Sequence, residues 1–343
     1  METILNSVDN LVDNEKTYEQ AVDILKSGGL VAFPTETVYG LGAVATDEQA
    51  VRKIFEAKGR PADNPLIVHI GRKSDMERFV AEVPEVAEQL IEAFWPGPLT
   101  LVMEKKPGVI AETVTAGMVT VAIRMPDHPV ALQLLKKLEL PLAAPSANRS
   151  GKPSPTEAEH VYHDLFGRIP LILDGGATGI GVESTVLDIT VTPPVILRPG
   201  GIVKEQLEAL IGTVHLAAKS EDEIETPRAP GMKYTHYAPE APLYVIESDA
   251  SKLEDALDSI HRQGKRAAVI GPDELHTAKA DWYFTTGALD SSEAMAAHLY
   301  KAIRQCDNTE ADIILAIETD QAGIGAAVMN RLDKASDGKR YFE

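Results

Sequence analysis

The chain has 343 residues and a formal net charge of −19, which divides into −10 for residues 1–210 and −9 for the remainder. One hydrophobic core rarely serves a chain of this length, so we expect two domains. A surface that is acidic throughout disfavours general attraction to nucleic-acid phosphates. Any anionic ligand must therefore be held by a local cluster of Lys and Arg that works against the overall field.

Composition also restricts the class of protein. No apolar run is long enough to cross a bilayer, and the N-terminus is polar and acidic rather than secretory. We therefore expect a cytoplasmic protein that makes no membrane contact. Cys306 is the only cysteine, and a single thiol can form neither an internal disulfide nor a thiolate zinc site.

Residues 1–210 alternate helical and strand patterns, which predicts an α/β domain with a mixed, twisted sheet. Residues 49–57 have apolar side chains at helical spacing, and Thr46 or Asp47 before them suits an N-cap. Short apolar runs between Gly, Pro, Ser and Asn are typical of buried strands. Such strands are predicted at residues 30–33, 66–70, 99–103, 119–123, 171–173 and 185–189.

Residues 211–241 have no apolar period and several prolines, so they are interpreted as a linker. Lys233, Tyr234, His236 and Tyr237 cluster in its second half. Loops that combine aromatic and charged side chains often contact a ligand. We therefore expect this part of the linker to contact a ligand.

Residues 242–343 return to regular alternation, which predicts a smaller, Rossmann-like domain with a parallel sheet. Its strands are expected at residues 243–246, 266–270, 282–285 and 313–317, and its helices up to about residue 263 and at 292–305 and 323–335. The GIGAA turn at Gly323 lies where such folds often bind anions. It is an incomplete dinucleotide fingerprint without an acidic partner for a ribose, so helix packing is the favoured explanation.

Two loops of the first domain combine polar groups after regular elements. PTETVYGLG, residues 34–42, offers hydroxyl and carboxylate groups together with glycines that permit close backbone approach; an ordinary strand-to-helix turn is the alternative. KGRPADNPL, residues 58–66, puts Lys58 and Arg60 where both can converge on one anion. A basic helix C-terminus would explain Lys58, but it explains the continuation to Asn64 poorly.

Further polar groups occur along the same domain. APSANRSGKPSPT, residues 144–156, has hydroxyl, amide and backbone groups suited to phosphate and ribose oxygens, with a solvated surface loop as the alternative. His69 lies in an apolar strand and is as readily a satisfied core residue as a ligand. Arg124, Ser184 and Arg198 lie at strand ends or in Gly-rich turns, and the two arginines add positive charge for a triphosphate and a carboxylate.

These segments have a family resemblance. No P-loop, H-E-x-x-H or G-x-S-x-G signature is present. Instead PTET-x-YGLG, K-x-R-P-x-x-x-PL, PSAN-x-SG-x-PSPT, ESTV and RPG resemble the YrdC-like threonylcarbamoyl-adenylate synthases. APGMKYTHYAP resembles the linker of their long, two-domain form, with Ala229 where serine is usual. The resemblance spans nearly the whole chain and implies a YrdC-like domain at 1–210, a lid at 211–241 and a C-terminal domain at 242–343.

The resemblance implies that L-threonine, bicarbonate and ATP give threonylcarbamoyl-AMP and diphosphate. The product would serve the threonylcarbamoyl modification of the adenosine 3′ of the anticodon in tRNAs that read codons starting with A. Magnesium would arrive with ATP, with no organic cofactor and no metal site on the protein. Partners would be downstream tRNA threonylcarbamoyl transferase proteins and, through a weak contact, tRNA.

The resemblance also implies the site residues. Lys58 and Arg60 would stabilise charge that develops on the phosphates, since no enzyme nucleophile is needed. The residues implied for threonine are Thr37, His69, Arg124, Ala144 and Ser184. The residues implied for ATP are Lys58, Arg60, Asn64, Thr120, Ser146, Asn148, Ser154, Arg198 and Tyr237, with Tyr234 as a weaker candidate.

Three other functions stay open at this point. An RNA-binding module would grip structured RNA on a concave basic face, which the charge of the first domain argues against. A carbamoyl transferase that uses carbamoyl phosphate would share the fold, although such enzymes tend to have added metal-binding domains. A regulatory ATP sensor would bind nucleotide on residues 240–343 alone.

Overall fold

The computed structural model describes residues 2–8, 14–217 and 237–341. They form two compact units. The first comprises the described parts of Met1–Ser150, Pro155–Gly179 and Glu183–Lys233, and the second comprises Gly151–Ser154, Ile180–Val182 and the described part of Tyr234–Glu343. Most of the predicted lid, including Lys233, Tyr234 and His236, lies outside the described residues, so the lid and the domain boundaries stay predictions.

The first unit is built on one mixed sheet with helices. Its strands are β1 (Ile4–Ser7), β2 (Val31–Phe33), β3 (Gly40–Val44), β4 (Ile67–His69), β5 (Leu99–Glu104), β6 (Thr120–Arg124), β7 (Leu142–Ala143), β8 (Leu171–Asp174), β9 (Thr185–Asp188), β10 (Val195–Arg198) and β11 (His215–Leu216). Their order across the sheet is β1-β8-β2-β3-β7-β4-β6-β5-β9-β10-β11. The helices are α1 (Glu15–Lys26), α2 (Glu48–Lys58), α3 (Glu85–Phe94), α4 (Glu112–Thr115), α5 (Pro129–Leu138), α6 (Ala158–Leu165) and α7 (Lys204–Ile211).

Helix α2 shows how the sequence specifies these elements. Its apolar side chains recur on one face, which is buried in the largest core. Asp47, rather than Thr46, is the N-cap, and its carboxylate accepts hydrogen bonds from the backbone N–H groups of Gln49 and Ala50. The helix ends at Gly59, which has a left-handed conformation with φ of 64°. The predicted helix at 49–57 is thus confirmed.

Two cores cover the sheet unequally. The largest core packs α2, α3, α6 and α7 on one face, across almost the whole sheet. On the other face, α1 and α5 cover the half that contains β8, β2, β3 and β7. The remaining half, at β4, β6, β5 and β9, has a small apolar cluster made only of strand residues among those that the structure describes. Polar side chains on this part of the face therefore lie beside an apolar surface that is made by strands.

The second unit contains a four-stranded parallel sheet in the order β12-β15-β13-β14. Its strands are β12 (Leu243–Ile246), β13 (Ala267–Gly271), β14 (Trp282–Thr285) and β15 (Ile313–Ile317), and its helices are α8 (Ala250–Arg262), α9 (Ser292–Cys306) and α10 (Gly325–Ala335). Helix α8 packs on one face. This confirms the predicted Rossmann-like parallel sheet. No helix in the described parts of the chain is long and apolar enough to cross a membrane.

One segment differs from its interpretation as a loop or turn. The last three residues of PTETVYGLG begin strand β3, which pairs antiparallel with β2. A Cβ on Gly42 would lie 2.8 Å from the ring of Phe33, so the glycine permits close packing inside the sheet. The strand was missed because GLGAV has only one β-branched residue, Val44, and no aromatic residue, and two of its five residues are glycines, which are depleted in strands.

Candidate active site

Strand pairing places two predicted threonine-binding side chains next to each other. In the parallel pair β4–β6, His69 lies opposite Arg124, so both project from the same face of the sheet. This is the face on which the small apolar cluster of Ile67 and Ala122 is found. His69 and Arg124 are each only 3% exposed, and both therefore depend on specific partners within the protein.

Arg124 is held by two neutral acceptors and one carboxylate. Its Nε donates to the Gly97 carbonyl oxygen at 3.2 Å, and Nη1 donates to Oγ1 of Thr37 at 3.0 Å. The Thr37 hydroxyl lies 2.8 Å from that of Thr35. Nη2 lies 2.6 Å from Oε1 of Glu36. The predicted pair Thr37 and Arg124 is thus in direct contact, with its geometry fixed by the first loop.

His69 is neutral in this environment. Burial, and secondarily the positive charge of Arg124, lowers the pKa of His69 to about 3. Its Nδ1 lies 3.3 Å from the Ile67 carbonyl oxygen. If Nδ1 bears the proton and donates there, Nε2 is an acceptor that can receive a hydrogen bond from a hydroxyl group of a ligand.

Ser184 and Arg198 are brought together by an irregularity in the sheet. The β9–β10 register shifts between Ile196 and Arg198, and the shift pairs Arg198 with Val186 of the small apolar cluster. Arg198 Nη2 then donates to the carbonyl oxygen of Ser184 at 2.9 Å and to its Oγ at 3.1 Å. The Ser184 hydroxyl also lies 2.8 Å from Oγ1 of Thr100, a residue that the sequence analysis did not identify.

The predicted nucleotide residues Lys58, Ser146 and Asn148 form a second group. Lys58 Nζ donates to the carbonyl oxygens of Ser146 at 2.5 Å and Asn148 at 2.7 Å. Ser146 Oγ donates to Oδ1 of Asn148 at 2.5 Å. Gly40 forms a bridge with Ser146, so this loop pairs with the first loop. Lys58 is 3% exposed, and its ammonium group fixes the loop conformation.

Arg60 and Asn64 follow Lys58 but have different surroundings. The Arg60 guanidinium lies 6.0 Å from the ring centroid of Phe55 and lines a cleft of about 590 Å³ with Arg52. Asn64 is fully buried, yet neither its Oδ1 nor its Nδ2 has a hydrogen-bond partner among the described residues. Native proteins rarely leave a buried amide unsatisfied, so Asn64 is a candidate for a bond to a ligand.

The remaining predicted residues divide between the units. Thr120 begins β6, with its side chain on the face of Arg124. Ala144 donates its backbone N–H to the Ile67 carbonyl oxygen at 3.0 Å. Ser154 and Tyr237 belong to the second unit. There the ring of Tyr237 packs on Tyr300, with centroids 5.0 Å apart.

The arrangement suits an amino acid with a polar side chain. It provides a buried guanidinium for a carboxylate, a neutral imidazole for a hydroxyl and an apolar sheet surface. The described residues include no group of three or more His, Cys, Asp or Glu side chains placed to hold a metal ion. Glu36 and Thr100 are contacts that the sequence analysis missed as site residues, although the carboxylate of Glu36 was visible in the PTET motif.

The chain matches two protein families. Residues 23–200 match the Sua5/YciO/YrdC family, described as telomere recombination. Residues 202–337 match the family described as threonylcarbamoyl-AMP synthase, C-terminal domain. Two relatives named threonylcarbamoyl-AMP synthase are each 51% identical to this chain. The match to the protein from Bacillus subtilis (strain 168) covers 96% of this chain and 96% of that protein. The match to the protein from Pyrococcus abyssi (strain GE5 / Orsay) covers 92% of this chain and 93% of that protein.

Solved structures agree with this grouping. The crystal structure of P. abyssi Sua5 complexed with L-threonine has a TM-score of 0.93 and 48% identity, over 99% of this chain and 100% of that one. E. coli YciO has a TM-score of 0.51 and 24% identity, over 58% of this chain and 96% of that one, and it shares the fold. The chain belongs to the Sua5/YciO/YrdC family, in the form that also has the threonylcarbamoyl-AMP synthase C-terminal domain.

Proposed function

We propose that this protein is a threonylcarbamoyl-AMP synthase, which converts L-threonine, bicarbonate and ATP into threonylcarbamoyl-AMP and diphosphate. The observation that supports it most is the pairing of His69 with Arg124 on one sheet face, with the Arg198–Ser184 pair on the same face. Relatives with this activity in their names match nearly the whole chain, and a solved relative is complexed with L-threonine.

In the proposed reaction, the threonine carboxylate binds Arg124 and the threonine hydroxyl binds the neutral His69 and Ser184. The threonine amine reacts with bicarbonate to form an N-carboxylate and water. An oxygen of this carboxylate attacks the α-phosphorus of ATP, and the bond to diphosphate breaks. The protein supplies orientation and positive charge rather than a nucleophile.

The nucleotide is proposed to lie along the loops of Lys58 to Asn64 and Ser146 to Asn148. Arg60 would contact the phosphates directly. Lys58 would contribute its charge while it holds the Ser146 loop in place, as its bonds to two carbonyl oxygens suggest. Thr120, Ser154, Arg198 and Tyr237 complete the proposed nucleotide set, and magnesium enters as the complex with ATP.

The product is proposed to serve the tRNA modification of the adenosine 3′ of the anticodon, in tRNAs that read codons starting with A. Threonylcarbamoyl-AMP is a labile mixed anhydride, so downstream transferase proteins must receive it promptly. Any contact with tRNA should be weak, since the net charge is −19. We place this activity in the cytoplasm.

The function is tested by diphosphate release from the pure protein. Release should require threonine and bicarbonate together with ATP, and mass spectrometry should detect threonylcarbamoyl-AMP. Arg60→Ala and Lys58→Ala should each lower turnover by about tenfold or more. Equal release with serine, or without bicarbonate, would exclude the proposed reaction.

A further inference from the structure

Glu36 is a buried carboxylate that the sequence-derived threonine set does not include. Its side chain is 13% exposed, and Oε1 lies 2.6 Å from Nη2 of Arg124, whose side chain is 4% exposed. The two groups form an ion pair, but they are not aligned as a hydrogen bond. Both carboxylate oxygens of Glu36 are shielded from solvent and accept no hydrogen bond from the described residues.

A buried carboxylate without hydrogen bonds is costly, because it has lost water and gained only one charge contact. Neutralisation of Arg124 explains why an acid lies here. It does not explain why both oxygens of Glu36 lack donors, since a carboxylate normally accepts several. The unsatisfied oxygens therefore indicate that a donor arrives from outside the protein.

Arg124 keeps donors for a ligand while it remains beside Glu36. A guanidinium has five N–H groups. One is directed at the Gly97 carbonyl oxygen and one at the Thr37 hydroxyl. The others, including both on Nη2, make no hydrogen bond within the described part of the chain. A ligand carboxylate can therefore bind Arg124 without displacing its present contacts.

The charges around the site indicate the net charge of that ligand. The Glu36–Arg124 pair has no net charge, and the nearby His69 is neutral because its pKa is low. A lone carboxylate would add a negative charge next to Glu36 in a buried environment, which is unfavourable. A zwitterion adds none, and its ammonium group supplies the missing donors.

We propose that Glu36 binds the α-ammonium group of the substrate amino acid, while Arg124 binds its carboxylate. This inference rests on the proposed function, because it takes threonine as the ligand of this site. Glu36 then determines specificity for α-amino acids over hydroxy acids of the same shape. It also holds the nitrogen that must become the carbamate.

The experiment is a cycle of two proteins and two ligands. Wild type and Glu36→Gln are titrated calorimetrically with L-threonine and with 3-hydroxybutyrate, which has the carboxylate and the hydroxyl group but no amine. Diphosphate release by wild type is measured first, so that failure of the proposed function is recognised separately. Glu139→Gln is the matched control, because Glu139 pairs with Arg72 at the surface.

Wild type should bind threonine more tightly than 3-hydroxybutyrate. In Glu36→Gln, threonine affinity should fall by about 10- to 100-fold, as expected for the loss of a charge-assisted hydrogen bond. Affinity for 3-hydroxybutyrate should not fall, since Gln removes only repulsion. The control should bind both ligands as wild type does.

The proposal is overturned if both ligands lose affinity equally, because Glu36 would then act only by holding Arg124. It is also overturned if threonine binding is unchanged. Should Glu36→Gln fail to fold, Glu36→Asp retains the charge but moves it back by one methylene. This variant must still lose threonine affinity and keep 3-hydroxybutyrate affinity, and any other result rejects the proposal.

Discussion

At the scale of single residues, Asn64 has a buried amide that should cost stability in the free protein and that the proposed nucleotide site would satisfy. Its amide is fully buried, and no described residue satisfies its oxygen or nitrogen. An unsatisfied buried polar group costs about 1–3 kcal/mol. We expect Asn64→Leu, which is similar in size, to raise the free energy of unfolding by about 1 kcal/mol and to weaken ATP binding. Urea unfolding and equilibrium titration with ATP measure the two effects.

The control for this change is Asn308→Leu, since Asn308 is exposed in the second unit. Surface substitutions of this kind usually alter stability by less than about 0.5 kcal/mol. A loss of stability in Asn64→Leu would mean that the amide is already satisfied in the free protein. Unchanged ATP affinity would remove Asn64 from the nucleotide site.

His69 should make the protein sensitive to acid. Its pKa is lowered from 6.5 to about 3 on folding, so the unfolded chain binds the proton more tightly between these values. Stability is therefore lost as the pH falls below 6.5, by up to about 1.4 kcal/mol per pH unit from this residue. We expect His69→Gln to lack that component. Urea unfolding of both proteins between pH 7 and pH 4 checks it, and parallel curves would contradict it.

The sequence indicated candidate site residues, but it did not indicate which groups each of them contacts. Arg124 and His69 could be identified from the motifs, but their contact depends on the β4–β6 register. The prediction that Lys58 and Arg60 converge on one anion did not anticipate that Lys58 Nζ donates to two carbonyl oxygens in the loop of residues 144–156. Such contacts join residues about 90 positions apart, and no local pattern encodes them.

At the scale of elements, both ends of α2 contribute to stability, but only its C-terminal end lies next to the proposed site residues. Asp47 caps the N-terminus, and Gly59 ends the helix between Lys58 and Arg60. Asp47→Ala and Gly59→Ala should each lower the free energy of unfolding by about 1 kcal/mol, through a lost cap and through positive φ respectively. Only Gly59→Ala should also lower turnover, because it displaces Lys58 and Arg60.

The two variants serve as controls for each other. A Cβ on Gly59 meets no atom closer than 3.8 Å, so backbone strain is the only expected cause. Urea unfolding gives the stability change, and diphosphate release gives turnover. Equal turnover in the two variants would mean that the end of α2 does not position the proposed phosphate-binding residues Lys58 and Arg60.

Strands could be predicted where burial requires a run of apolar residues. Irregularities in strand pairing could not be predicted, because they leave no mark on the local sequence. The strands at 99–103 and 185–189 are apolar runs, and both were confirmed as β5 and β9. The bulge in β10 was not predictable, because nothing in ILRPGG shows that Arg198 will pair with Val186. That bulge nevertheless brings Arg198 to Ser184.

At the scale of the whole molecule, the net charge is negative, so an anion such as ATP can bind only where basic side chains are locally available. In the second unit, two basic side chains near the carboxyl ends of the strands are already paired. Lys252 pairs with Glu247, which follows β12, and Arg340 pairs with Glu318, which follows β15. Parallel sheets bind ligands at this edge, and the carboxylates of Glu247 and Glu318 lie there beside cations that are already paired.

This edge also explains the GIGAA turn without a nucleotide. A Cβ on Gly325 would lie 1.8 Å from the carbonyl oxygen of Asp320, so the glycine is required by the close approach of α10 to the chain before it. Dinucleotide-binding loops also need a glycine that lets the backbone approach the phosphates, in addition to a glycine for packing. The packing explanation of the sequence analysis therefore fits the structure, and the Asp320 carboxylate accepts the backbone N–H of Ala322 just before the turn.

We therefore expect residues 240–343, expressed alone, to bind no ATP under conditions in which the full chain does. Phosphate repulsion by Glu247, Glu318 and Asp320 should exceed any attraction from Lys252 and Arg340, which are paired. Equilibrium dialysis with labelled ATP measures binding, and circular dichroism with cooperative thermal unfolding establishes that the fragment is folded. If the folded fragment bound ATP as tightly as the full chain, the second unit would be a nucleotide sensor, and the nucleotide site proposed for the first unit would lose its support.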